Sequence, residues 1–193
     1  MEQASPQALQ QFAIPELART EAADGDAERF AALSRGAGTK AGMGDRDGAL
    51  AEAEAMIKLQ PWNADAHLYK AQLLNQARRF AEAEAAAREA IRLAPQNAEA
   101  WKAAGWAGLH QRKFAQAEKD ITQAIQLLEA RRAAGEDTLE LRNALASAYA
   151  MRAFAYEGLG QREKMLADLE KAAALDAKYM GHLARARAGK THF

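Results

Sequence analysis

A period of 34 residues is the feature of this sequence that most restricts its fold. The segments 49–67 and 81–101 share one register, in which equivalent positions carry the same or similar residue types. The equivalent pairs include Ile57 and Ile91, Leu59 and Leu93, Pro61 and Pro95, Asn63 and Asn97, His67 and Trp101, and Phe80 and Phe114. A fixed period of this length predicts a solenoid of stacked helix–turn–helix units, because one such unit cannot bury its apolar face alone.

The residue content of the units is typical of helices. Alanine, leucine, glutamate and arginine are frequent, valine is absent, and there are four prolines. Pro61 and Pro95 are expected to end one helix, and Asn63 and Asn97 to cap the next. Small residues such as Ala83 recur where two helices must approach each other closely. We therefore predict an all-α protein.

The register also carries a family resemblance. Its residues are Ala71, Phe80, Ala83, Ala90 and Pro95; then Trp101, Gly105, Phe114, Ala117 and Ala124; and finally Ala153, Tyr156, Gly160, Leu169 and Ala172. Over roughly residues 44–176 the chain resembles the tetratricopeptide repeat family. The resemblance implies a helix–turn–helix solenoid with a right-handed superhelical course. It also implies about three full repeats and a degenerate N-terminal one.

The register shifts by 14 further residues between Ala124 and Ala172, which are 48 residues apart. We therefore predict an extended helical hairpin at about residues 125–145. The expected elements are a helix from Phe114 to about Ala134, a turn at Gly135, a capping box of Asp137 and Glu140, and a helix reaching Leu159. Shared between two helices, the insertion would add about 10 Å to the hairpin at 1.5 Å per residue.

Glycines interrupt the first unit. Gly36, Gly38, Gly42 and Gly44 fall where its first helix should lie, and each disfavours helix by roughly 0.5–1 kcal/mol relative to alanine. We therefore predict a helical extension over 1–34, a glycine-rich linker over 35–46, the repeat domain over 47–176 and a C-terminal capping helix or tail over 177–193. The linker lacks the spacing of a phosphate-binding loop.

The helix at 47–60 has an apolar face formed by Leu50, Ala53, Met56 and Ile57. Without a first helix in its own unit, this face needs another segment to cover it. We expect residues 15–34 to cover it, either within the same chain or by exchange between two copies.

Composition excludes several classes of function. The chain has no cysteine, so disulfides and thiolate nucleophiles are excluded. Its formal net charge of zero argues against nucleic acid as a partner. No window approaches 18 apolar residues, which argues against insertion into a membrane. The four histidines have no metal-binding spacing. We expect no enzyme activity, cofactor or metal.

The first residues do not resemble a signal peptide, which favours the cytoplasm if Met1 is the native start and leaves export open if a leader was removed.

The family resemblance implies a concave groove, lined by the first helix of each repeat, that receives a peptide or helix of a partner protein. By register, the groove positions are Tyr69, Gln72, Asn75, Gln76, Lys102, Trp106, His110, Met151 and Phe154, with Leu68, Leu109 and Glu157 beside them. Phe80, Trp101 and Phe114 are assigned to the core.

These positions predict an adapter that binds an internal segment of another protein. Some members of the family that the chain resembles clamp a C-terminal carboxylate with lysine, asparagine and arginine. The matching positions here carry Leu68, Tyr69, Gln72, Glu99 and Ala103, so such a clamp is not expected. The alternative is a self-assembling homo-oligomeric scaffold, completed by exchange of the N-terminal segment.

Overall fold

The computed structural model describes residues 25–190, and its regular elements are all helical within that range. Residues 25–42 form α1. The next helices are α2 (Arg46–Leu59), α3 (Ala64–Gln76), α4 (Phe80–Leu93), α5 (Ala98–His110), α6 (Phe114–Ala133), α7 (Leu139–Gly158) and α8 (Arg162–Leu175). A 3-10 turn (Ala177–Tyr179) and α9 (Met180–Arg187) follow. The chain divides into two compact units, one ending at Pro61 and the other beginning at Trp62.

The glycine-rich stretch is helical, so the predicted linker over 35–46 is wrong for residues 35–42. The helix α1 continues through Gly36, Gly38 and Gly42, and the chain turns only at residues 43–45. Three glycines disfavour helix by roughly 1.5–3 kcal/mol relative to alanine. Packing can outweigh such a penalty, because tertiary contacts supply most helical stability in proteins. Lys40 of α1 forms an ion pair with Glu52 of α2, so the two helices form a complete hairpin.

The first unit thus has its first helix, which spans residues 25–42 and includes residues 25–34 of the predicted cover. In α2, Ala53 and Met56 are buried and Leu50 and Ile57 are half-buried, as the predicted apolar face requires. Asp45 caps α2 by accepting a hydrogen bond from the backbone N–H of Gly48. Residues 15–24 of the predicted cover, and the rest of the extension before them, lie outside the described range.

One local pattern recurs from repeat to repeat. Asn63 caps α3 by accepting hydrogen bonds from the N–H groups of Asp65 and Ala66, and Asn97 caps α5 by accepting one from the N–H of Glu99. α2 and α4 end at Leu59 and Leu93, two residues before the prolines of the register. Both predictions are therefore confirmed, because caps and proline breaks act within a few residues of the chain.

The long hairpin lies where the register shift places it. α6 and α7 each contain 20 residues, whereas α3, α4 and α5 contain 13 or 14. Gly135 turns the chain with a φ of +97°. The predicted capping box is wrong: Thr138, rather than Asp137, caps α7 by accepting a hydrogen bond from the N–H of Leu141 at 3.1 Å. Asp137 instead lies 3.4 Å from Arg142.

The C-terminal helix packs on the last hairpin. Leu183 and Ala186 of α9 join the buried cluster that contains Tyr156, Met165 and Leu169. This packing covers the apolar end of the hairpin, as a capping helix would.

Candidate functional site

A groove with a volume of about 530 Å³ lies in the second unit, along α3, α5 and α7. Its lining residues are Gln72, Asn75 and Gln76 from α3; Glu99, Lys102, Ala103 and Trp106 from α5; Ser147, Ala150, Met151 and Phe154 from α7; and Tyr179 and His182 from the C-terminal segment. The structure thus brings together seven of the nine predicted groove residues. The three helices are the first helices of successive hairpins, so the repeat register itself aligns their faces.

One wall of the groove is apolar. Trp106 is 40% exposed although it is one of the largest apolar side chains of the molecule. Phe154 stands at the equivalent repeat position, 48 residues later, and packs edge to face on Phe114 with ring centroids 6.3 Å apart. Met151 and two alanines complete this wall. An open, mostly apolar wall of this kind can bury the apolar side chains of a ligand.

His110 supports Trp106 from behind and is not part of the lining. Its ring stacks on Phe80 with centroids 4.4 Å apart and an interplanar angle of 7°. The Trp106 ring meets it edge-on at 4.5 Å. Burial lowers the pKa of His110, and the charge of Arg78 lowers it further, so the neutral ring is favoured in this stack.

Four other residues assigned to the groove from the sequence need correction. Tyr69 does not line the groove, and its half-buried position raises the pKa of its hydroxyl. Leu68 and Leu109 are buried, with Leu109 in the main core cluster. Glu157 borders a different and smaller cavity. The helical register predicts which residues share the face that lines the groove. Residues at the edge of that face can instead point their side chains into the core.

Two of the three residues assigned to the core pack against it. Trp101 and Phe114 pack on the main core cluster. The indole N–H of Trp101 donates a hydrogen bond of 2.8 Å to the carbonyl oxygen of Pro95, which ties α5 to the turn before it. Phe80 is half-buried in its stack with His110.

The charges within the groove are compensated. Lys102, whose side chain is 14% exposed, donates hydrogen bonds to both carboxylate oxygens of Glu99, at 2.9 and 3.1 Å. Asn75 uses its amide N–H to hold α5, donating to the Ala103 carbonyl oxygen at 3.0 Å. The groove therefore presents amide and hydroxyl groups and apolar surface rather than net charge.

The C-terminal segment supplies a wall that sequence reasoning missed. Tyr179 and His182 line the groove from outside the repeat register, so no repeat position could have identified them. The guanidinium of Arg185 lies 3.1 Å from Nδ1 of His182. Burial lowers the pKa of His182, and the charge of Arg185 lowers it further.

Two buried aspartates lie outside the groove and hold helices together. Asp120 in α6 accepts two hydrogen bonds from Arg88 of α4, at 2.8 and 2.6 Å. Asp168 in α8 accepts two from Arg152 of α7, at 2.7 and 2.9 Å. Both carboxylates are at least nine-tenths buried, and both are fully paired. Fork-like pairing of this kind indicates a structural role.

Two further kinds of site, a metal site and a membrane-spanning helix, were sought in the described part of the chain. Residues 25–190 contain no group of three histidine or acidic side chains placed to hold a metal ion. Across that same range, no helix has both the length and the apolar character needed to span a bilayer.

Comparison with known proteins agrees with the helical pattern. The tetratricopeptide repeat family matches residues 39–98 and 76–129 with one of its models and residues 146–179 with another. No curated protein matches the sequence significantly.

Solved structures with the same arrangement of helices share little sequence with the chain. MamA from Desulfovibrio magneticus RS-1 is 19% identical with a TM-score of 0.67, and the match covers 84% of this chain and 86% of MamA. PilF of Pseudomonas aeruginosa is 16% identical with a TM-score of 0.70, covering 86% and 71%. The first TPR of Spaghetti (RPAP3), bound to the HSP90 peptide SRMEEVD, is 20% identical with a TM-score of 0.52, covering 63% and 90%.

Proposed function

The chain belongs to the tetratricopeptide repeat family, and we propose that it is a non-catalytic adapter that binds a segment of a partner protein in the groove along α3, α5 and α7. The observation that carries this proposal is the exposure of Trp106 on an open apolar wall. Large aromatic side chains left in water and flanked by polar groups are typical of binding surfaces, because burying them on a partner is favourable.

The chemistry of the groove supports an internal segment over a free C-terminus. A terminal carboxylate would need unpaired cationic groups, whereas Lys102 is already engaged by Glu99. Burying a charged group without a partner is costly, so the residues that enter this groove should be uncharged. The RPAP3 domain shows that a similar arrangement of helices can hold a peptide.

The test uses a matched pair of tryptophans. Peptides are selected from a phage-displayed random library on the full chain, and their affinities are measured for Trp106→Ala and Trp62→Ala. Trp62 is 72% exposed and lies outside the groove, which makes it the control. We expect Trp106→Ala to weaken the selected peptides about thirtyfold, corresponding to about 2 kcal/mol, because it removes a central anchor. Trp62→Ala should leave them unchanged.

Circular dichroism must show that both variants fold. Equal affinities for the wild type and Trp106→Ala would overturn the groove as the binding site. Unfolding of Trp106→Ala alone would place Trp106 in the core and contradict the same proposal.

The self-assembling alternative assumed that α2 lacks a partner helix in its own chain. α1 occupies that position, and Lys40 pairs with Glu52 within one copy. This favours the adapter, because no helix has to be borrowed from a neighbour. Light scattering across a range of concentrations tests it: a mass that stays at 20.9 kDa agrees with the adapter, and growth of the mass with concentration supports the scaffold.

A further inference from the structure

A second groove, with a volume of about 630 Å³, lies in the first unit on one side of the α1–α2 hairpin. Its lining residues are Arg29, Ala32 and Leu33 from α1, and Glu52, Ala55, Lys58 and Leu59 from α2. The half-buried Leu33, Ala55 and Leu59 give this α1–α2 groove an apolar floor. It shares no lining residue with the groove along α3, α5 and α7, so it is a surface of its own.

The floor of the α1–α2 groove is a second apolar side of α2. At 3.6 residues per turn, Ala55 and Leu59 lie about 100° around the helix from the buried Ala53 and Met56. Leu59 is also the last residue of α2, and the antiparallel α1 begins at the same end of the hairpin. The groove therefore extends toward the point at which the chain enters α1.

The chain that enters α1 has the length needed to occupy this groove. Residues 1–24 lie outside the described range and end where α1 begins. Within them, residues 15–24 can reverse the direction of the chain, because connections between packed helices usually take about 2–8 residues. A helix over residues 6–14 would span about 13 Å, and Glu52 to Leu59 spans about 10 Å.

Residues 6–14 have the pattern of a short amphipathic helix. Ser5 and Pro6 are residue types favoured at the cap and the first position of a helix. Leu9, Phe12 and Ala13 are spaced i, i+3 and i+4, so in a helix they share one side. An isolated helix of this length is marginal in water, so it needs an apolar surface to pack on.

The charges of the segment and of the groove are complementary. Arg29 and Lys58 are exposed at the rim of the groove, and its acid, Glu52, is already paired with Lys40. Residues 1–24 carry an excess of negative charge, from Glu2, Glu16, Glu21 and Asp24 against Arg19. Exposed pairs of this kind add little affinity, but they favour one orientation of the docked segment over others.

We propose that residues 6–14 dock as a helix in the α1–α2 groove of their own chain, with Leu9 and Phe12 on the apolar floor. The tether favours this occupant over a second copy. A short connection holds a segment at an effective concentration of about millimolar, which a separate molecule reaches only in concentrated solution. The contact buries apolar surface of α1 and α2 and does not depend on the proposed binding function.

The absence of cysteine from the chain makes a thiol-labelling test possible. Ala55→Cys places a single thiol in the floor of the α1–α2 groove, and its rate of reaction with an aromatic disulfide reagent reports how far it is covered. Ala51→Cys, at an exposed position one turn earlier on α2, is the control thiol.

Leu9→Ser combined with Phe12→Ser should raise the reaction rate of the Ala55→Cys thiol about tenfold, because these two side chains supply most of the apolar contact. Gln10→Ser combined with Gln11→Ser is the matched control. It changes neighbouring positions off the apolar side and should leave the rate unchanged. The Ala51→Cys thiol should react at one rate in all three backgrounds, and circular dichroism should show the same helical content.

Equal rates for the Ala55→Cys thiol with and without Leu9 and Phe12 would overturn the proposal. Protection that appears only as the protein concentration rises would also overturn it, because the segment would then lie on a second copy. Protection that is independent of concentration supports docking within one chain.

A second variant tests the charges without altering the segment. Lys58→Glu reverses the charge at the rim, and it should raise the reaction rate of the Ala55→Cys thiol about twofold by repelling the acidic segment. A slower reaction in Lys58→Glu would contradict the proposed orientation.

Discussion

The α5–α6 and α7–α8 hairpins are built on the same register, with equivalent positions 48 residues apart, but they are packed differently. The first is filled by small residues and the second by larger ones. The equivalent pairs are Gly105 and Ala153, Gly108 and Tyr156, and Ala117 and Met165. A Cβ added to Gly105 would lie 2.5 Å from Ile121, so the first interface has no spare room. The register thus fixes which positions meet, and the contacting residues change together to keep the interface filled.

The two hairpins also share a buried acid but differ in how it is neutralised. Asp120 and Asp168 stand at equivalent positions. Asp120 is paired with Arg88 from the preceding hairpin, and Asp168 with Arg152 from its own hairpin. The Arg152 side chain is 14% exposed and the Arg88 side chain 35%. A repeat position can therefore carry a buried charge provided that some neighbouring helix supplies the opposite one.

The largest expected loss of stability comes from removing one of the two buried aspartates, and its size should differ between them. Asp168→Ala should lower the free energy of unfolding by about 4 kcal/mol, because it leaves the buried Arg152 without its counter-ion. Asp120→Ala should cost about 2 kcal/mol, because Arg88 is closer to solvent and is also 3.6 Å from Glu84. Urea denaturation of both variants measures the difference.

Glu170→Ala, on α8 like Asp168, is the control for the two aspartate variants. Its ion pair with Arg187 joins two exposed side chains, so its loss should change stability by less than about 1 kcal/mol. Equal losses for Asp120→Ala and Asp168→Ala would contradict the argument from burial.

The second prediction separates the two kinds of packing. Met165→Ala should destabilise the chain by about 3 kcal/mol, because it opens a cavity in the interface of larger residues. Gly105→Ala should destabilise by about 2 kcal/mol for the opposite reason, since the added methyl group collides with Ile121. The exposed Gly181→Ala in α9, where the added carbon meets nothing within 4 Å, should be neutral or slightly stabilising.

Thermal unfolding of these three variants checks the packing argument. A Gly105→Ala variant as stable as Gly181→Ala would contradict the expectation that the α5–α6 interface has no room for an added methyl group.

The smallest effect concerns the turns of the same two hairpins. Arg112 and Gly160 stand at equivalent positions and both have left-handed backbones, with φ values of +60° and +70°. Arg112→Gly should stabilise the chain by about 1 kcal/mol, because glycine adopts this conformation without steric cost, and Gly160→Ala should destabilise it by a similar amount. Melting temperatures that move in the same direction for both variants would show that the turns are not equivalent.

The groove was predicted as far as the repeat register extends. Trp106 and Phe154 could be placed because they stand at equivalent positions on the first helices of successive hairpins. His110 could not be placed, because the register does not reveal its stack between Phe80 and Trp106. Tyr179 comes from a segment outside the repeats, and only the packing of the C-terminal segment brings it to the groove.

The sequence by itself determined the helical pattern from Arg46 to Leu175, including the long hairpin, because caps, prolines and a fixed period act through neighbouring residues. Tertiary structure decided what local preference could not. Residues 35–42 are helical despite their glycines. Each buried aspartate is paired with an arginine from a different helix, and the repeat register does not predict which one. The physical reason is that these outcomes depend on contacts between residues distant in the chain, whose free energies exceed the intrinsic preferences of single residues.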